Sequence, residues 1–485
     1  METNINLENI VFTKMWLSPK PKHCYDTPTD YTLLNDYIKV NQQKFIDEYF
    51  TSGHKVMNKD FLKDYFIQKK GINPLTNKTE IEYEQVHVER LTFPIQKDST
   101  DVILAHIFGR KIEHKDISFD KTPNNDELLR KYKLVWSSTN MDSIVKTFVK
   151  HTLICAEAVL YFYINQQGEI KTQILSLLNG DKIAVQKDNF GNVIALYRQY
   201  YTTNENAELE QRIDKITIEG IGTYNDKGEL INFINNVFNF LPLVYHYRKE
   251  GAWWSSVQSS IDELEKMCSL LAEDNKSKAK AKLHLATQKP NNVQAQTLAG
   301  ADVIITGTDG KVELLQPAAL SESLSFIIKK LETQIAHTLG LIYPELKSGD
   351  MPTGSMKLAF FPTERICKTF IDEFAPVIDQ ISKIFKKTLP IQYSTFRNTE
   401  FDNMFIKSKI ALYSPQDSLS TLTASADAFS KGALTEEALI RANSDYLDTT
   451  DLDKLIEINK KEIIDVTEEV TPTNTNEKQN NTTQE

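Results

Sequence analysis

Between residues 158 and 248 the apolar residues recur at every second position, and on either side they do not. Four segments, AVLYFYI, IKTQILSL, DKIAVQKD and VIALYRQYY, are rich in branched and aromatic residues and read as strands. Asp188-Asn189-Phe190-Gly191-Asn192 separates the last two as a hairpin loop. KITIEGIGTY and ELINFI flank Asn225-Asp226-Lys227-Gly228, a second hairpin turn, and Pro242 to Arg248 (PLVYHYR) closes the β-rich region. After Gly251 the period becomes helical: Val257, Ile261, Leu264, Met267 and Leu271 share one face. A chain that changes period in this way has an α+β fold.

The helical reading extends to both flanks. Tyr31 to Phe50 and Asn58 to Gln68 carry helical signals, after an arm broken by Pro19, Pro21 and Pro28. Lys121 to Asp126 (KTPNND) reads as a loop, and a helix follows from Asn140, with Met141, Ile144, Val145, Phe148 and Leu153 as its stripe. Past the first long helix, NKSKAKAK spans Asn275 to Lys282. ADVIITG and KVELLQP flank Thr308-Asp309-Gly310, a further hairpin. Ser321 is a credible N-cap for a helix striped by Leu324, Ile327, Ile328, Leu331, Ile335 and Leu339, which Gly340 ends. A third helical segment, from about Ser355 to Lys387, is roughly 50 Å long if continuous. Pro362 and Pro376 are expected to kink or interrupt it, above a stripe of Phe370, Phe374, Val377, Ile378, Ile381 and Phe385. More helices are expected between Gln416 and Lys461, and the polar tail after them reads as disordered.

Most enzyme classes find no purchase here. SGDMPTGSMKLAFF, from Ser348 to Phe361, has the two glycines of a phosphate-binding loop, but Ser355 and Met356 stand where GxxxxGK[ST] needs its lysine and hydroxyl. It also follows a helix and the breaker LIYPELK rather than a buried strand. Gly349 and Gly354 then serve backbone freedom. The nine histidines include no HExxH, and His337, near Gln334, reads as a helix-surface or packing residue. Cys24, Cys155, Cys268 and Cys367 are widely spaced, which favours reduced thiols over a zinc cluster or disulfides. No GxSxG elbow occurs, and neither a catalytic residue nor a metal or other cofactor is expected. METNINLENI lacks the look of a secretion signal, and Leu153 to Tyr163 is too short to span a bilayer. The net charge of -10 argues against a protein that coats DNA. Lys276, Lys278, Lys280 and Lys282 form a basic alternation, either a solvated face or an edge that meets an acidic partner or a DNA backbone.

The order of these parts resembles the portal proteins of tailed bacteriophages: α/β region, helix, small β insert, helix, glycine loop, long kinked helix, helical end. VIALYRQYY is similar to the family's strand after a glycine turn, and LPLVYHYRKEG to the strand before its first stem helix. SSVQSSIDELEKMCSLLAED looks like that stem helix. GTDGKVELLQPAALSESLSFIIKKLETQIAHTLGL resembles the clip exit and second stem helix, and PTGSMKLAFF the start of the long wing helix, with Gly354, Lys357 and Leu358 in matching places. SPQDSLSTLTASADAFSKGALTEEALIRAN looks like the C-terminal helices. The resemblance runs from about Asp101 to Ile458; the first hundred residues match only vaguely, and Met356 and Ala359 shift the small-residue pattern.

The resemblance implies an N-terminal arm and mixed α/β wing over residues 1–250, stem helices at 251–275 and 318–340, and a small β-containing clip at 276–317. A tunnel loop follows at 341–354, a long kinked wing helix with its return at 355–404, a helical crown at 405–465 and a disordered tail at 466–485. It implies a non-enzymatic ring, usually of twelve copies, at a capsid vertex, through which double-stranded DNA passes without sequence preference. The implied partners are the terminase large subunit, then a head-completion adaptor, and the major capsid or scaffold protein. Assembly is expected in the host cytoplasm and residence in the virion. Tyr343, Lys347, Gly349, Asp350, Met351, Thr353 and Gly354 become the tunnel-loop residues. Lys276, Lys278, Lys280 and Lys282 become the clip docking set, and Asp262, Glu263 and Glu265 the candidates for the stem lumen. A different ring-forming virion or baseplate component is the alternative.

Overall fold

The structure is a computed structural model that describes residues 41–72, 79–119, 122, 124–165, 167–203, 207–279, 282–286, 302–306, 320–341, 353–412, 418–433, 435 and 439. The chain divides into two units, Met1–Tyr413 and Ser414–Glu485. The first opens with helix α1 (residues 41–49), a pair of short 3-10 turns and the antiparallel strands β1 (Tyr65–Ile72) and β2 (Thr79–Val86). A helix was expected over Asn58 to Gln68. Instead Asn58 stops the turn by accepting the Asp60 and Phe61 amides, and from Tyr65 the chain is extended. Thr79-Glu80-Ile81-Glu82-Tyr83 alternates polar and apolar residues, the pattern of a strand, and supplies the pairing partner.

Helix α2 (Ile95–Ile107), strand β3 (Glu113–Asp116), and helices α3 (Asn125–Ser138) and α4 (Met141–Cys155) come next. The chain turns from α4 into strand β4 (Glu157–Ile164) within one residue, Ala156, at φ 62°. An L residue rarely adopts that conformation, and the burial of Ala156 between two core elements holds it there. β4 lies between β5 (Ile170–Leu175) and β11 (Leu243–Tyr247) in a three-stranded antiparallel sheet. Between them in sequence, β6 (Lys182–Lys187), β7 (Val193–Thr203), β8 (Leu209–Thr217), β9 (Gly220–Tyr224) and β10 (Leu230–Asn235) form a five-stranded meander.

Both expected hairpins are present. Gly191 and Gly228 sit at φ 86° and 81° in their turns, a region open chiefly to glycine. KITIEGIGTY, however, is two strands. The chain doubles back at Ile218-Glu219, and Gly220 lies so near the Ile234 carbonyl that a Cβ would meet it at 2.3 Å.

The first long helix is α5 (Gln258–Ala279), which outruns the expected stem boundary at residue 275. Strands β12 (Lys282–Ala286) and β13 (Asp302–Thr306) then pair in parallel. KVELLQP and its turn lie outside the described residues. Helix α6 (Leu320–Leu339) begins one residue before Ser321, so that serine lies within the helix and does not cap it. Gly340 ends it at φ 62°. Helix α7 (Thr353–Gln392) is one continuous helix of 40 residues, so Pro362, Pro376 and Pro390 do not interrupt it. Its apolar stripe offsets the lost backbone bonds: Phe370, Phe374, Val377, Ile378, Ile381 and Phe385 are all buried.

That stripe is the centre of the main core, where α2, α3, α4 and β4 also bury their apolar residues. Helix α8 (Thr399–Asn403) and strand β14 (Ile406–Lys409) complete it, β14 pairing antiparallel with β3 across nearly three hundred residues of sequence. β14 therefore belongs to the first unit, which runs to Tyr413. In the second unit the described element is α9 (Ser418–Ser430), within the helical stretch expected from Gln416. The N-terminal arm to residue 40 and the C-terminal tail lie outside the described residues.

Candidate functional site

Helix α5 has three faces with different fates. Val257, Ile261 and Leu264 are buried against Ile335 and Leu339 of α6, with Ile328 and Leu331 packed alongside. This apolar seam makes α5 and α6 a pair. At its base Trp254 is fully buried; Tyr49 of α1 stacks on it at 5.9 Å and Glu48 accepts its indole N–H at 3.0 Å. Burial raises the Glu48 carboxyl above its ordinary range, so the indole N–H and Lys44 beside it are what stabilise its charge.

The second face is polar and meets the N-terminal segment along the whole helix. Gln258 accepts the Gln96 amide at 2.9 Å, and Asp262 lies 3.5 Å from Lys55. Glu265 Oε1 accepts the Phe93 N–H at 2.8 Å and lies 2.6 Å from His54 Nδ1. Ser269 accepts the Leu91 N–H at 2.9 Å, Glu273 accepts from the Tyr65 hydroxyl at 3.0 Å, and Lys276 pairs with Glu89 at 2.7 Å. Positions 258, 262, 265, 269, 273 and 276 advance by three or four residues, so they form one stripe. The strap over it consists of an outgoing and a returning stretch of chain, riveted by Asp64. Asp64 accepts from Arg90 at 2.6 Å, His87 at 2.9 Å and the Val88 N–H at 3.2 Å, bonds that hold its carboxyl well below the usual range.

The third face is exposed. It carries Leu270, and Glu263 is half-exposed with Lys266 one turn on at 3.9 Å. On α6, Phe326 is 68% and Ile327 40% exposed, although Leu331, Ile335 and Leu339 below them are packed.

These contacts sort the residues singled out from sequence. Glu265 is a correction: it is 0% exposed, its carboxylate engaged by His54 and Phe93, so it cannot line a lumen. Asp262 is nearly covered, beneath Lys55 and Gln258. Glu263 alone of the three points away from the strap. Lys276 is exposed but paired with Glu89, which raises the lysine and lowers the glutamate. Lys278 falls in the last turn of α5 and Lys282 opens β12, while Lys280 lies outside the described residues.

Tyr343, Lys347, Gly349, Asp350 and Met351 also lie outside the described residues. Thr353 and Gly354 correct the loop boundary: they form the first turn of α7, since the helix starts one residue before Gly354. The near end of that loop is fixed. Gly340 lies against α7, where Thr363 donates its hydroxyl to the Gly340 carbonyl and a Cβ on residue 340 would meet Ile366 at 2.8 Å.

Other reactive side chains are built into cores. Burial pushes the thiols of Cys155 and Cys367 up to about 12, which leaves them protonated and unreactive at neutral pH. His114 lies 2.9 Å from Ser408 Oγ, and Ser408 lies 2.5 Å from Ser382 Oγ, but all three are buried, so the cluster is structural. His337 is exposed on α6, as its position in the sequence suggested. Among the described residues no group of histidine, cysteine and carboxylate side chains is arranged to hold a metal, and no helix is long and apolar enough to cross a membrane.

The described residues thus form a mixed α/β body carrying a pair of amphipathic helices, with a small β insert between them and a long helix after them. The family model for phage portal proteins of the SPP1 Gp6-like kind matches residues 25–482, and the chain belongs to that family. It is a structural, non-enzymatic family of the phage capsid. No curated protein matches the chain.

Proposed function

We propose that copies of this chain close into a ring at one capsid vertex, most simply of twelve subunits, and that genome DNA is packaged and ejected through its channel. The observation that carries this is the half-covered helix pair. The strap covers one face of α5, and α6 leaves Phe326 and Ile327 in water on the other side. Ile327 borders the buried stripe and Phe326 stands on the opposite face, and exposed apolar residues of this size call for cover from a neighbour, which a closed ring supplies to every copy alike. In this reading Glu263 contributes to the lumen and residues 341–352 form the tunnel loop, with Lys347 touching phosphates and Asp350 limiting the attraction. An acidic ring repels DNA overall, so the duplex slides without sticking.

The region 276–317, with Lys276, Lys278, Lys280 and Lys282, docks the terminase large subunit during packaging and a head-completion adaptor afterwards. The outer surface meets the major capsid or scaffold protein. Assembly takes place in the host cytoplasm, and the ring remains in the virion. Negative-stain images of the purified chain test the ring. Particles with a central hole are expected, and Phe326→Glu should abolish them while leaving a folded monomer; rings formed equally well by that variant would overturn the reading. Deleting Lys347 to Met351 should impair packaging or retention of DNA with rings intact.

A further inference from the structure

The three-stranded and the five-stranded sheet of the first unit share an apolar core and, beside it, a cavity. Val159, Leu175, Leu196, Ile216 and Leu243 build the core. The cavity, of about 280 Å³, is lined by Tyr161, Tyr163, Gln173, Arg198, Asp214 and Thr223 among others. Ile234 and Val237 stand at its lip, each more than half exposed. It is a cleft partly open to solvent, and its polar walls are able to hold a ligand or ordered water.

Its charge distribution selects the ligand. Arg198 Nε donates to Asp181 at 2.7 Å, and its Nη1 lies 3.8 Å from Asp214. One guanidinium thus serves two carboxylates, and both are almost wholly buried. Asp214 has one further donor of ordinary length, the Thr223 hydroxyl at 2.8 Å; the Tyr200 hydroxyl stands at 3.4 Å. Burial raises both carboxyls above their usual range despite Arg198, the sign of an under-compensated pair. Of the residues that line the cavity, Arg198 and Asp214 are the charged ones. Arg198 and Asp214 line it together, and with Asp181 paired behind them the cluster carries one carboxylate in excess. A cation would complete the balance, and the rings of Tyr161 and Tyr163, parallel to within 10° and 6.2 Å apart, add an aromatic wall.

We infer that this inter-sheet cavity binds an alkyl cation, a guanidinium or ammonium on a short aliphatic chain, with the charge at Asp214 and the chain against Ile234 and Val237. The source is either a free polyamine-like molecule or a basic side chain of a second copy. The site stands whether or not the chain forms rings.

The test uses the full-length chain and agmatine as the probe, followed by calorimetric titration and thermal unfolding. Saturable one-to-one binding is expected, weakened roughly tenfold or more by Asp214→Asn. Because that substitution also disturbs Arg198, a second variant decides independently. Gln173→Lys places an ammonium inside the cavity, and it should raise the melting temperature and abolish the agmatine response. No saturable binding to the native chain, or affinity unchanged in Gln173→Lys, overturns the inference. The source is read from assembly. Agmatine that slows ring formation supports a side chain of a second copy, whereas rings indifferent to agmatine and to Asp214→Asn support a free cation.

Discussion

The lower half of α7 and the upper half of α6 have the same sequence signature and opposite surroundings. Both repeat apolar residues at helical spacing. In α7 every residue of the stripe from Phe370 to Phe385 is buried within the first unit. In α6 the stripe is buried at Ile335 and Leu339, partly covered at Ile328 and Leu331, and open at Ile327, next to the largely exposed ring of Phe326. Periodicity therefore reports that a face needs cover, and it is silent on whether the same chain provides it. Where it does, the helix is core. Where it does not, the uncovered part marks the surface on which the proposed ring would close.

Paired truncations on the two helices sharpen this contrast most strongly. Phe374→Ala should cost about 3–5 kcal/mol of unfolding free energy, since the ring is wholly buried and its loss leaves a cavity. Phe326→Ala should change the stability of the monomer by no more than about 0.5 kcal/mol. Urea unfolding of both variants provides the comparison. A costly Phe326→Ala in the monomer would mean that α6 is covered from within the chain, and the contrast would fail.

A smaller effect separates the α7 core from the helix pair through pH. His114, held against Tyr132, Trp136 and Ser408, and His151, bonded to Ser176, are both pushed down to about 4 by burial. In the unfolded chain a histidine takes up its proton near 6.5. Below that pH the unfolded state binds more protons than the folded one, so the stability these residues contribute falls as pH drops from about 6.5 to about 4. The loss approaches roughly 3 kcal/mol per histidine at the lower limit. Buried Asp181, Asp214 and Glu48, with raised carboxyls, act in the opposite direction, so the difference between native protein and His114→Asn isolates one histidine. That difference should change with pH between 6.5 and 4; a flat difference would mean that His114 is charged in the folded state.

How far the sequence could be read follows from how local each signal is. The hairpins at Asp188–Asn192 and Asn225–Gly228 were legible because their glycines and alternating flanks lie within a few residues. The break inside KITIEGIGTY was not, since it depends on the closeness of Gly220, which opens β9, to Ile234 on the following strand. Helix α3 and the β1–β2 pair went unread although their signals are local: Leu128, Tyr132 and Trp136 recur at four-residue spacing, and Thr79 to Tyr83 alternates. The strap was invisible altogether: His54 and Glu265 are 211 residues apart, and nothing near either one announces the other. Hence Asp262 and Glu265 stood among the lumen candidates, when both lie on the inner side of an intramolecular contact.

The mildest prediction tests that reassignment. Glu263→Ala and Glu265→Ala remove the same group two residues apart on one helix. At 265 the change leaves the Phe93 N–H and the His54 ring without their acceptor in a buried place, at a cost of about 1–3 kcal/mol. At 263 the carboxylate is half-exposed and its nearest cation, Lys266, is 3.9 Å away, so the loss should stay within about 0.5 kcal/mol. Hydrogen exchange gives a local readout, because the Phe93 amide should exchange faster in Glu265→Ala and unchanged in Glu263→Ala. If instead the two variants proved equal in both measurements, the strap would not be holding α5, and its polar face would return to the set of surfaces available to a channel. The consequence for the proposed ring runs the other way: Glu263 faces away from the strap, so if it lines the proposed channel its substitution should alter the salt dependence of DNA passage while leaving the fold intact.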